Sequence, residues 1–209
     1  MKRQIKIDMT LAPCIDRAHM FIILDEDLRQ RLTLLPIFLD KLENSIKFAQ
    51  MIGLKQKNSF RSALVRASTT ELVTIEDIQQ SSKLNKSILR MNDTNNPLLC
   101  VIRELRNVDI HLSTSQISSV DRNFIWGHPD KPSEAKQISM SLYWIDNLNF
   151  DVFSKLRSFD QKYNKDEFKE ALNWFDTVQR EWGITELLLR TAHLYGEKLA
   201  DHYELHGTL

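Results

Sequence analysis

The sequence predicts a mainly α-helical fold, an up-and-down bundle of amphipathic helices that carries a small β-hairpin insertion. Two observations lead there. Apolar residues recur at helical spacing along most of the chain. In one stretch the period switches to two, where Ile138, Met140, Leu142 and Trp144 alternate with Ser139, Ser141 and Tyr143. Glycine and proline are also scarce, five of each in 209 residues, too few for an all-β protein with many tight turns or for a long linker.

The helical elements are legible in order. Leu28, Leu32, Leu35, Leu39, Leu42, Ile46 and Ala49 form one apolar stripe, with Gly53 as its C-cap and Pro36 forcing a kink or a restart. A second helix is expected over 58–78, with Phe60, Leu64, Ala67, Leu72, Ile75 and Ile78 inward, and a short third over 83–90. Asn96-Pro97 starts the next helix, which runs to about Ser115 with Asn as N-cap and Pro at N1. Phe124 and Trp126 end the partner strand of the hairpin, and residues 127–135 make its loop. Two long helices, 166–182 and 185–203, close the chain on either side of Gly183. Before all of these, Ile5, Ile7 and Met9 alternate with Lys6 and Asp8, the pattern of a short half-buried strand. The whole reads as one domain: a core bundle over 28–118, the hairpin insertion over 119–147 and C-terminal helices over 150–206.

Composition narrows the function classes. The 28 basic and 28 acidic side chains cancel, which argues against coating a nucleic acid through bulk charge. Apolar runs do not exceed five residues, as in Met20 to Leu24, so no transmembrane helix is expected, and nothing after the basic start Met1-Lys2-Arg3-Gln4 forms a signal peptide. Cys14 and Cys100 stand alone without metal-type spacing, and a reduced, cytoplasmic protein is expected, one disulfide remaining possible. There is no Gly-rich phosphate loop, no Gly-x-Ser-x-Gly elbow and no Cys cluster, so neither cofactor nor metal is expected. His202 and His206 have a zinc-type spacing but lack a third ligand and sit near a chain end, which favours a solvated pair. Charge is unevenly spread: residues 28–70 hold eight basic side chains against Asp40 and Glu43, while residues 144–209 are acidic. A basic stretch can guide a polyanion, but the commoner meaning is a solvated helix face. Trp174, Phe175 and Trp182 fall at helical spacing and read as core.

The helix from Pro97 is the most informative. With Leu105 at the centre of its core stripe, Leu98, Val101, Ile102, Val108 and Leu112 lie within roughly 60° of it. The opposite face holds Leu99, Arg103, Arg106, Asn107, Ile110 and His111, a mixture of anchors, cations, an amide and an imidazole that suits a site or a subunit interface. Asn107 and His111, four apart, are neighbours on that face. An imidazole such as that of His111 can give or take a proton, Arg106 offers a permanently charged fork that suits a phosphate, and Asn107 can hold a phosphate or fix the imidazole.

Arg106-Asn107-Val108-Asp109-Ile110-His111 resembles the R-x(4–6)-H motif of the HEPN superfamily (higher eukaryotes and prokaryotes nucleotide-binding domains), in which a polar residue follows the Arg. The resemblance covers one helix. It implies an all-α bundle that forms a homodimer and joins the motif helices of two protomers into one metal-independent RNA-cleaving site. It further implies Arg106, Asn107 and His111 as catalytic residues, Arg103 as a phosphate contact, and a toxin or antiphage effector held by an antitoxin or regulatory protein. Leu112 and Ser113 follow His111, so the Tyr that some members carry two places after the His is missing, and Glu71 is followed by Ile75 where others have a Glu-x-x-x-Lys pair. Arg122-Asn123 with His128 fits a looser version of the motif but falls in the hairpin, outside any helix. The alternative is a catalytically inactive helical module that binds a protein partner.

Overall fold

A computed structural model describes residues 4–15, 24–54, 57–82, 88–112, 116–126, 136–156 and 159–205; of residues 82, 109–112, 126 and 160 it describes the backbone. The fold is mainly helical with one two-stranded antiparallel sheet.

Helices α1 (Glu26–Arg31) and α2 (Pro36–Ile52) replace the single stripe read from the sequence. Pro36 sits at the first turn of α2, where its missing N–H costs nothing, so the chain restarts its helix there. Gly53 caps α2 with φ −71°, in the right-handed region. Helix α3 (Asn58–Ser82) runs back along α2, joined to it by the buried Ser45–Ser68 hydroxyl pair at 2.9 Å. Of its expected stripe Leu64, Leu72 and Ile75 are buried and Ile78 packs partly buried against the core, whereas Ala67 is half-buried and Phe60 is 48% exposed. The end of α2 is level with Arg61, whose Nε donates to the Ile52 carbonyl, so Phe60 lies beyond the surface that would cover it. Of the short helix expected over 83–90, residues 83–87 lie outside the described residues and 88–90 are not helical.

Helix α4 (Pro97–Leu112) packs against α3 and against three later elements, α5 (Phe150–Ser154), α7 (Lys165–Trp182) and α8 (Ile184–Leu205), and so occupies the middle of the bundle. Asn96 caps it as expected, its Oδ1 accepting from the Leu98 and Leu99 amides at 3.0 and 3.3 Å. A short α6 (Phe159–Lys162) precedes α7, and Asn164 caps α7 through the amides of Asp166 and Glu167. One apolar core runs through α1, α2, α3, α4, α7 and α8.

The hairpin pairs β1 (Ile117–Trp126) with β2 (Lys136–Ile145), from Ile117 opposite Ile145 to Trp126 opposite Lys136. Its loop lies outside the described residues. The base of the hairpin is docked by a side-chain amide: Gln179 of α7 accepts from the Ile145 N–H at 3.0 Å and donates to its carbonyl at 2.9 Å, standing in for a third strand. Gly183 separates α7 from α8 with φ +87° and ψ 153°, a conformation almost confined to glycine.

The strand expected over 4–9 is not formed. A single parallel bridge joins Ile5 to Tyr163, Ile7 donates to the Glu167 carboxylate at 2.9 Å, and Met9 begins a 3-10 turn. The segment lies against the helical body near α6 and α7, where no sheet edge is offered, so its backbone is satisfied piecemeal.

Candidate functional site

Site geometry starts from the circumference of α4. Leu98, Leu99, Cys100, Val101 and Ile102 are all fully buried, and five consecutive residues cover every direction around a helix. Leu99, expected on the outer face, is therefore core. The two residues that follow, Arg103 and Glu104, continue into the interior, and burial of charge requires partners.

Glu104, only 2% exposed, is the hub. Its Oε1 accepts from Arg103 Nη1 at 3.0 Å, from the Tyr163 hydroxyl at 3.0 Å and from the Lys162 ammonium. Its Oε2 accepts from Asn107 Nδ2 at 3.0 Å. Arg103 turns its Nε to both oxygens of buried Glu76, at 3.2 and 3.1 Å, and Glu76 also takes the Met91 amide. Two carboxylates and two cations thus balance. Burial alone would push the Glu104 carboxyl up, but Lys162, Arg103 and the Asn107 amide together hold it below the usual range. In Glu76 burial prevails over Arg103, and its carboxyl is raised. Burial likewise pushes the Tyr163 hydroxyl well up, with the Glu104 charge adding to the shift. Burial lowers the Lys162 ammonium, with neighbouring Arg103 acting in the same direction. The Cys100 thiol, buried one turn before Glu104, is pushed up to about 12 by desolvation and remains protonated at neutral pH.

From this interior network the chain of bonds leads outward. Asn107 gives its carbonyl oxygen to Arg106 Nη1 at 3.3 Å. Arg106 is half-buried, its Nε–H is buried without a hydrogen-bond partner, and no carboxylate among the described residues forms an ion pair with it. His111 follows on the same helix, four residues after Asn107; its backbone is helical and its side chain lies outside the described residues. The structure thus places Arg103, Arg106 and Asn107 in one bonded chain. It gives the Arg103 fork to Glu76 and Glu104, and it leaves Arg106 as the cation whose charge no described acid balances.

Glu104, Glu76, Lys162 and Tyr163 are absent from the sequence reading. Lys162 and Tyr163 arrive from α6 and its end, 58 and 59 positions beyond Glu104, a distance no local pattern spans. Glu104 carried a usable signal, since an apolar run that encircles a helix puts the next charge inside. Tyr163 is positioned by an aromatic cluster in which Phe159 meets Phe168 edge-on at 4.7 Å and Tyr163 lies 5.0 Å from Phe168.

Other features resolve simply. Three of the eight cations of the basic 28–70 stretch are met by acids: Arg29 pairs with Glu43, Lys41 with Glu71, and Arg31 with Asp201 and Glu204 of the acidic C-terminal helix. Arg61 closes the end of α2 and donates to the Tyr143 hydroxyl at 2.9 Å. Arg122 and Asn123 lie on β1 rather than on a helix, Arg122 Nη1 donating to the Glu181 carbonyl of α7 at 3.3 Å, and His128 is outside the described residues. Phe175 is core, Trp174 is partly buried against it, and Trp182 lines a cleft of about 590 Å³ between the end of α2 and β2. His202 sits edge-on to Tyr203, and His206 lies outside the described residues. Both cysteines are free, Cys14 exposed and Cys100 buried. Among the described residues no helix is long and apolar enough to cross a membrane. No family model, curated protein or solved structure matches the chain.

Proposed function

We propose that this chain is an endoribonuclease of HEPN type that cleaves RNA without a metal ion. The reading rests on Arg106, a half-buried guanidinium held by a neutral amide, with a buried N–H that has no hydrogen-bond partner among the described residues, five residues before a histidine on the same helix. A buried donor without an acceptor calls for an explanation, and a phosphate oxygen supplies one. His111 takes the proton of the 2′-OH, the 2′-oxygen bonds to phosphorus, and the bond from phosphorus to the 5′-oxygen breaks as that oxygen is protonated. The products are a 2′,3′-cyclic phosphate and a 5′-hydroxyl. A homodimer whose two-fold axis joins the α4 ends gives one cleft two copies of His111, one as base and one as acid. Arg103 enters as the residue that holds this face of α4 to α3, since its fork is engaged with Glu76. An effector role, as toxin or in antiphage defence, with an antitoxin or other regulatory protein as partner, belongs to the same reading.

The engagement of Arg103 by Glu76 and Glu104 also favours a second reading, a catalytically silent interaction module in which the charged network serves stability alone. The two part on activity. Incubation of the protein with RNA in excess EDTA, followed by end-group analysis, yields cyclic phosphate ends under the first reading and intact RNA under the second.

A further inference from the structure

We propose that Glu104 is a positioning residue for Arg106, acting through the amide of Asn107; the proposal rests on the ribonuclease reading of this site. The side-chain amide of asparagine has unlike ends, a donor and an acceptor, so its orientation carries information. Here both ends are specified. Nδ2 faces the Glu104 Oε2 at 3.0 Å, and the carbonyl oxygen faces Arg106 Nη1 at 3.3 Å. Rotating the amide by half a turn would set oxygen against carboxylate and N–H against guanidinium, repulsive on both sides. The carboxylate itself cannot turn, because its other oxygen is filled by Arg103, Lys162 and Tyr163 and water is excluded at 2% exposure.

The arrangement transmits orientation without transmitting charge. An acid in direct contact with Arg106 would neutralise the cation that is to meet a phosphate. Asn107 stands between them as a spacer, fixed by the buried charge on one side and presenting only a neutral carbonyl on the other. A guanidinium so placed is preorganised for the charge that develops in the transition state. Its loss therefore falls mainly on kcat, with KM changed little.

The test is a double-mutant cycle. Glu104→Gln alone leaves Lys162 without its acid and can unfold the chain, so it is combined with Lys162→Met, which keeps the local charge balanced. In the wild-type background E104Q/K162M lowers kcat for RNA cleavage in EDTA at least about 10-fold. In an Asn107→Ala background the same pair of changes lowers it less than about twofold, because the link is already broken. Equal losses in both backgrounds, or no loss in the first, overturn the proposal. The Asn107 side-chain amide proton resonances provide a readout independent of activity. They move toward the free-amide position in E104Q/K162M, and resonances that stay in place overturn the proposal even in an active protein. If wild-type protein leaves RNA intact, the ribonuclease reading and the catalytic purpose of the link both fail, and the amide resonances then report only whether the Glu104–Asn107 bond exists.

Discussion

The Tyr163 hydroxyl donates to Glu104 Oε1 at 3.0 Å inside the bundle, joining the residue that follows α6 to the middle of α4 across 59 positions of sequence. A hydrogen bond to a buried charge is worth more than an ordinary one. Tyr163→Phe keeps the ring within its aromatic cluster and removes the hydroxyl that donates to Glu104 and bonds the Asn92 side chain. The expected cost is about 1.5–3 kcal/mol in urea unfolding, with little change in the slope of the transition.

Glu104 and Glu76, two acids of one network, impose opposite pH dependences. The Glu104 carboxyl is held below its ordinary value of 4.5, so it contributes stability above that pH, and the contribution is lost as pH falls through the folded-state value. The Glu76 carboxyl is raised from the same ordinary value, so ionising it in the folded state is unfavourable, and stability declines as pH rises from 4.5 through its folded-state value. Urea midpoints measured from pH 3 to pH 8 check both signs. The deficit of E104Q/K162M relative to wild type shrinks on acidification, and the deficit of Glu76→Gln grows.

Gly183 holds φ +87° and ψ 153° between two long helices. A β-carbon there meets Leu142 and the Tyr143 carbonyl oxygen at 3.5 Å, an ordinary contact, so backbone strain rather than crowding opposes substitution. Gly183→Ala is expected to cost about 1–3 kcal/mol, read as a lowered thermal midpoint with an unchanged circular dichroism spectrum.

Arg31 reaches both Asp201 and Glu204 from the start of the bundle, with Nε and Nη2 at 2.7–2.9 Å. These groups are in contact with solvent, so the interaction is screened. Arg31→Glu lowers the thermal midpoint at low ionic strength, and most of the difference disappears in 1 M salt.

The bundle, the restart at Pro36, the Asn96 cap, the hairpin and the break at Gly183 were legible in the sequence because each follows from local spacing or from a residue with a restricted backbone. What was not legible depends on distant partners. Ile5, Ile7 and Met9 alternate as a strand does, but pairing needs an edge, and only Tyr163 is there to bridge. Phe60 matches the stripe of α3 but lies past the end of α2. On α4, helical angles put Arg106 and Asn107 on one mixed face opposite the core stripe, while the interior anchor of that face, Glu104 with Lys162 and Tyr163, comes from tertiary packing. The opposite charges of the 28–70 and 144–209 segments were visible, and their mutual pairing through Arg31 was not.

The most direct test of the central claim compares wild-type protein with His111→Ala on RNA in excess EDTA. The proposed Arg106–Asn107–His111 site predicts 2′,3′-cyclic phosphate ends from the wild type and a loss of at least about 100-fold in the variant. Cleavage by His111→Ala at the wild-type rate would contradict it.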